Sequence, residues 1–319
     1  MVITFMEIEE IFLKYINSRV ISVKTLGDGH INDTFLVESG AGKYIVQRVK
    51  SSMDIDGCLF NFGLYSRVMS DTDWKYPVLI GNNEGKIFYT DENDSHWRVY
   101  EYIDGEILNA PIDEKVLYSC GRGLAKMHML LGGITERPKA LYPHLHDLKY
   151  YYDLYLQVRR SSEIRRENRD PYIEERIDSG VNAMLAVDPD RTSVVHGDPK
   201  LANILFRGDE VIGFIDFDTV MSGSRLEDLA DCVRSCCIED GVFNKTKAQS
   251  LISGYTDNIP HDMLSGMDSF PAIYNKICFE LGLRYYIDAL SNGKTFKEKY
   301  PGYLLERAKS LFSDKIKYN

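Results

Sequence analysis

The stretch from Val194 to Asp218 reads VVHGDPKLANILFRGDEVIGFIDFD and concentrates carboxylates and an amide where short apolar runs stop. Buried without partners, such groups would be costly, so a charged species belongs between them. Phosphoryl transfer from a nucleotide asks for this set. One carboxylate orients a substrate hydroxyl and accepts its proton, while a carboxylate and an amide oxygen hold Mg²⁺ on the phosphates. Asp198 is the candidate base. Asn203 and Asp216 are the candidate metal ligands, with Asp218 within reach as an additional ligand, directly or through water. Any one of these residues, taken alone, is better read as capping a turn. The combination, preceded by His-Gly, is not what turn capping requires.

The runs Val194–Val195, Ile204–Phe206 and Val211–Ile215 predict that the polar residues sit at the tips of a single β-hairpin. Upstream, TLGDGHINDTFLV places Gly27 and Gly29 between two strands, where bare backbone can approach phosphates. The segments SGAGKY and SNGKT each contain a Gly-Lys pair, but neither has the spacing of a Walker loop.

The rest of the chain supplies the frame. Its 319 residues are enough for two lobes, and 44% hydrophobic with 27% charged residues is an ordinary globular composition. A net charge of -10 argues against a general nucleic-acid or anionic-membrane surface. MVITFMEIEEIFLKYI lacks a basic leader region and reads as an amphipathic helix with Ile8, Ile11, Phe12 and Tyr15 on one face, and no later run reaches membrane length. Six scattered cysteines without a CxxC pair read as reduced thiols, which implies the cytoplasm.

From about Ser22 to Ile103 the pattern is alternation and turns, with one helix at LFNFGLYSRVM. From Asp113 onward helical spacing dominates, with helices predicted over Asp147–Arg166, Tyr172–Ala186, Arg225–Ile238, Lys245–Tyr255, Ala272–Leu290 and Tyr300–Ser313. The hairpin of the opening stretch is the only β structure expected in that half. The fold class is therefore α+β: a small antiparallel sheet lobe over 1–103, a link at 104–111, and a helical lobe over 112–319.

HGDPKLANILF followed by GFIDFDTV resembles the aminoglycoside phosphotransferase and choline kinase superfamily, whose fold is protein-kinase-like. Within it, GDGHINDTFLV, YIVQRV, WRVYEYIDG, IDFDTVMSGSRLEDLADCVR and ELGLRYYIDALSNGKTFKEKYPGYLLERA are similar to the N-acetylhexosamine 1-kinase group. The resemblance implies ATP and Mg²⁺ as cofactors and the anomeric hydroxyl of a small sugar as acceptor. It also implies a hinge at Glu101, Tyr102 and Ile103 whose backbone meets adenine. Contacts to the sugar would come from the segment with His30 and Asn32, and from the regions of Asp231, Arg234 and Arg284. Bland readings stand beside these. His30 is equally a turn-capping imidazole, Asp231 and Arg234 stand at helical spacing and suit each other as partners, and Arg284 suits a buried ion pair. His128, on the apolar stripe, reads as a hydrogen-bonded structural histidine.

Two features depart from the kinase pattern. The third-strand lysine that holds phosphates is replaced by Gln47, with Arg48 beside it, and only one of the two can face the cleft. The following helix, between Ser51 and Ser70, contains no Glu to complete the usual ion pair. Two rival readings follow: a kinase of the same fold for homoserine, choline, an aminoglycoside or another sugar, and a nucleotide-binding module without transfer activity.

Overall fold

The computed structural model describes residues 3–26, 32–49, 51–110, 112–239, 242–291 and 300–313. Helix α1 (Phe5–Leu13) opens on a capping box in which Thr4 Oγ1 accepts from the Glu7 amide and Glu7 returns a carboxylate to the Thr4 amide. Its predicted face is the buried one: Ile8, Ile11 and Phe12 pack with Val37, Val46 and Val99 of the sheet beneath.

That sheet is antiparallel, built from β1 (Val20–Leu26), β2 (Asp33–Ser39), β3 (Gly42–Val49), β4 (Leu79–Ile80), β5 (Tyr89–Thr90) and β6 (His96–Glu101). The order is β1-β2-β3-β6-β4, with β5 also on β6. Helix α2 (Ile55–Met69) is inserted after β3. It starts earlier than its apolar run suggests because Asp54 caps it, accepting from the Gly57 amide at 2.9 Å.

The second lobe is helical: α3 (Glu114–Leu131), α4 (Leu148–Arg160), α5 (Pro171–Leu185), α6 (Arg225–Cys236), α7 (Lys245–Thr256), α8 (Phe270–Ser291) and α9 (Pro301–Ser313). Helix α8 is apolar on most of its circumference and buried against both cores of this lobe, one with α3 and α6, the other with α5 and α9. The expected α+β fold of two lobes is the fold observed. No helix among the described residues is long and apolar enough to cross a membrane.

Two expectations are corrected. The predicted helix from Asp147 ends at Arg160, where Ser161 turns extended, and a single 3-10 turn follows at Arg166–Asn168. The chemistry-bearing stretch is also not one hairpin. β8 (Ile204–Arg207) and β9 (Glu210–Phe214) form the hairpin, whereas β7 (Ser193–Val195) pairs antiparallel with β10 (Met221–Gly223). A further short pair joins β11 (Ile238–Glu239) to β12 (Val242–Phe243). Runs of two or three residues are too short to show a period, so only partners brought by the fold make them strands.

Candidate active site

The loop between β7 and β8 is fastened from below by Asp228 of α6. Its carboxylate is fully buried and accepts from the His196 and Gly197 amides, both at 2.9 Å. His128 Nε2 stands 3.1 Å from the same carboxylate, with the Tyr255 hydroxyl 2.8 Å from Nδ1. His128 is thus a structural residue. His196 Nδ1 accepts from the Asp198 amide at 3.3 Å, which leaves Nε2 to donate to Ile215 O at 3.0 Å. That is the neutral tautomer, consistent with burial holding the imidazole pKa below its ordinary value.

Gly197 sits at φ +86, and a Cβ there would lie 2.4 Å from Thr219 O. We expect Gly197→Ala to destabilise the protein by about 3 kcal/mol through backbone strain and overpacking. The check is thermal unfolding; a melting temperature equal to that of the parent would show that the loop is less constrained than its geometry.

Asp198 and Asn203 face each other across this loop. Asn203 is buried and donates from Nδ2 to Asp198 O at 2.9 Å, with Asp198 Oδ2 at 3.4 Å. That arrangement keeps Asn203 Oδ1 as an acceptor. The Asn203 carbonyl accepts from the Ile215 amide at 2.9 Å, so the amide and Asp216 are held one residue apart across the hairpin mouth. Lys200 Nζ pairs with Asp198 Oδ2, a cation that the motif contained and that sequence reasoning passed over. Asp216 adopts φ +67, and burial together with the neighbouring Asp218 charge pushes its carboxyl up to about 6.

Both oxygens of Asp218, expected as an additional ligand directly or through water, are engaged by a side chain of the sheet. Arg98 of β6 takes both of its oxygens, Nη1 to Oδ1 at 2.8 Å and Nη2 to Oδ2 at 2.5 Å, with Asn32 Nδ2 3.4 Å from Oδ2. The choice between Gln47 and Arg48 is made by register. Gln47 is opposite Arg98 in the ladder and accepts from its Nε and Nη2 at 2.9 and 2.6 Å. Arg48 faces the other side, 2.8 Å from Asp33 and over the Trp97 ring, away from the carboxylates. A signal for Arg98 existed: an arginine alternating with the core residues Trp97 and Val99 on the strand next to β3 must face the cleft.

Glu101 ends β6, and Tyr102 and Ile103 follow half-buried. Gly27, Gly29 and His30 lie outside the described residues. On the helical side Asp231 and Arg234 pair at 2.8 Å, the partnership their spacing suggested, and Asp231 Oδ2 is buried without a hydrogen-bond partner. Arg284 lies over the Tyr151 ring with Glu280 at 3.9 Å. Two residues that sequence reasoning missed join them. Burial raises the Glu280 carboxyl, and at His146 the charges of Glu280, Glu227 and Asp231 outweigh burial and raise the imidazole. His146 Nε2 reaches Gly197 O at 2.8 Å, so this charged cluster abuts the Asp198 loop.

Hard oxygen donors at Asn203 and Asp216 suit Mg²⁺, and the burial and neighbouring charge that raise Asp216 are what a cation would offset. Among the described residues no group of three or more His, Cys, Asp or Glu side chains could hold a metal alone. Here the remaining ligands would have to come from phosphate oxygens and water.

Residues 22–257 match the phosphotransferase enzyme family. The homoserine kinase of Sinorhizobium medicae is 28% identical over 239 residues, 73% of this chain and 69% of that one. The homoserine kinase of Rhodopseudomonas palustris is 27% identical over 263 residues, 80% of this chain and 76% of that one. Among solved structures, an amicoumacin kinase in complex with AMP-PNP, Ca²⁺ and Ami superposes with a TM-score of 0.69 at 13% identity, covering 97% of this chain and 93% of that one. An APH(2″) enzyme with GDP and kanamycin gives 0.66 at 13% identity, covering 97% of each. At that identity the likeness is one of fold.

Proposed function

This chain belongs to the phosphotransferase enzyme family, and from that premise we propose that it transfers the γ-phosphoryl group of ATP to the anomeric hydroxyl of an N-acetylhexosamine. The observation that carries the transfer chemistry is the placing of Asn203, whose side-chain amide donates to the Asp198 carbonyl and whose backbone carbonyl accepts from Ile215, the residue before Asp216. The sugar assignment rests on the sequence blocks similar to N-acetylhexosamine 1-kinases.

In this reading Asp198 orients the acceptor hydroxyl and takes its proton as the new oxygen–phosphorus bond forms and the bond to ADP breaks. Lys200 holds the Asp198 carboxylate in place before the acceptor arrives. Asn203 and Asp216 hold Mg²⁺, which when bound offsets the charge on the phosphate oxygens. Gln47 and the Glu101–Ile103 segment line the nucleotide side, and the sequence around Gly27 and Gly29 is the candidate phosphate-binding loop. His30, Asn32, Asp231, Arg234 and Arg284 bound the acceptor side. The six cysteines are buried free thiols, which supports a reducing, cytoplasmic setting.

The homoserine kinase relatives give a second reading of the acceptor. Paired acids and arginines around His146 suit an amino alcohol as well as sugar hydroxyls. The test is ADP release with ATP and Mg²⁺ over N-acetylglucosamine, N-acetylgalactosamine, their parent hexoses, homoserine, choline and an aminoglycoside, with products identified by phosphorus NMR. An anomeric sugar phosphate is the expected product. Turnover on homoserine alone would keep the mechanism and replace the acceptor, and bound but unconsumed ATP would favour a silent binder.

A further inference from the structure

The guanidinium of Arg98 is 2% exposed and all five of its N–H groups have acceptors. Nε and Nη2 donate to Gln47 Oε1, Nη1 to Cys58 Sγ at 3.2 Å and to Asp218 Oδ1, and Nη2 also to Asp218 Oδ2. Nothing is left over for a phosphate oxygen. These three partners belong to different elements: Gln47 to β3, Cys58 to α2, and Asp218 to the segment after β9 in the other lobe. Two residues before Asp218, Asp216 stands at a positive φ, a conformation uncommon outside glycine and less costly for Asp and Asn than for other residues.

We infer that Arg98 is a positioning residue, which holds the Asp216–Asp218 segment against the sheet through Asp218 and occupies the place of the missing third-strand lysine without binding phosphate. The usual lysine would join its strand to α2 through a Glu. Here the cation comes from the neighbouring strand, and its carboxylate partner lies on the metal-bearing segment itself. The alternative role, that Arg98 merely neutralises a buried carboxylate, predicts something different, as does direct contact with phosphate.

The test uses Arg98→Met, Asp218→Asn and the double variant in the full chain. Hydrogen–deuterium exchange is followed at the Ile215 and Val220 amides of ligand-free protein, which bond to Asn203 O and Phe217 O. Both single variants should exchange faster there, and the double variant should be no slower than either. On the proposed kinase reading, each should also lose about 10²-fold in kcat, with the double losing no more than the worse single. Recovery of parental exchange in the double variant would reduce Arg98 to charge neutralisation and overturn the proposal. So would an Asp218→Asn variant with parental exchange and kcat beside an impaired Arg98→Met, which would point to phosphate contact. A parent protein that turns over no acceptor would end the kinase reading, while exchange would still decide the role of Arg98. If Arg98→Met does not fold, Arg98→Lys serves instead: one ammonium cannot span Gln47 and both Asp218 oxygens, and the same rise in exchange is expected.

Discussion

Asp198→Asn should slow turnover by roughly 10²–10⁴-fold, the range for loss of a positioned general base, while nucleotide affinity stays near that of the parent. The substitution is nearly isosteric, and the bonds that shape the loop run mainly through the Asp198 backbone, while the 3.4 Å contact from Asn203 Nδ2 to the carboxylate is one that an Asn Oδ1 can also accept. Asn203 donates to the Asp198 carbonyl, and the Asp198 amide donates to His196. What disappears is the proton acceptor and the ion pair with Lys200. The side chain is partly exposed, so the change leaves no buried group without a partner. Steady-state kcat and calorimetric titration of a nucleotide analogue separate the two effects. A parallel fall in nucleotide affinity would mean that Asp198 serves the phosphates and not the acceptor hydroxyl.

Asp216→Ala should remove the Mg²⁺-dependent part of nucleotide binding entirely. Asp218 is a poorer ligand to take its place, because Arg98 already pairs with both of its oxygens. Asn203 would be left as a single amide ligand, too few for a hard divalent cation that already keeps much of its water. Alanine at φ +67 adds strain of roughly 1–2 kcal/mol, so Asp216→Asn is the sharper variant, since Asn tolerates that backbone and lacks only the charge. Titrating an ATP analogue with and without Mg²⁺ reads the result directly. A gain from Mg²⁺ that survives in Asp216→Asn would place the metal on other residues.

Part of this site is legible in the sequence. Asp198, Asn203 and Asp216 stand within one short stretch whose apolar runs turn back on each other, so their proximity follows from local pattern. The same holds for the buried face of α1 and for the pairing of Asp231 with Arg234, which helical spacing brings together.

Other features depended on partners far along the chain. Sequence placed Asp218 within reach of a metal, but its ion-pair partner Arg98, 120 residues away, was not legible there. Asp228 gave no sign of anchoring the His196–Gly197 amides, nor did β7 of pairing with β10. Whether Gln47 or Arg48 turns to the cleft was left open by a two-fold alternation whose phase is set by the neighbouring strand. Local spacing determined which residues are candidates for the chemistry. The tertiary structure decided which of their charges are already spent on one another, because Coulomb and hydrogen-bond partners in a buried cleft are chosen by distance in space and not along the chain.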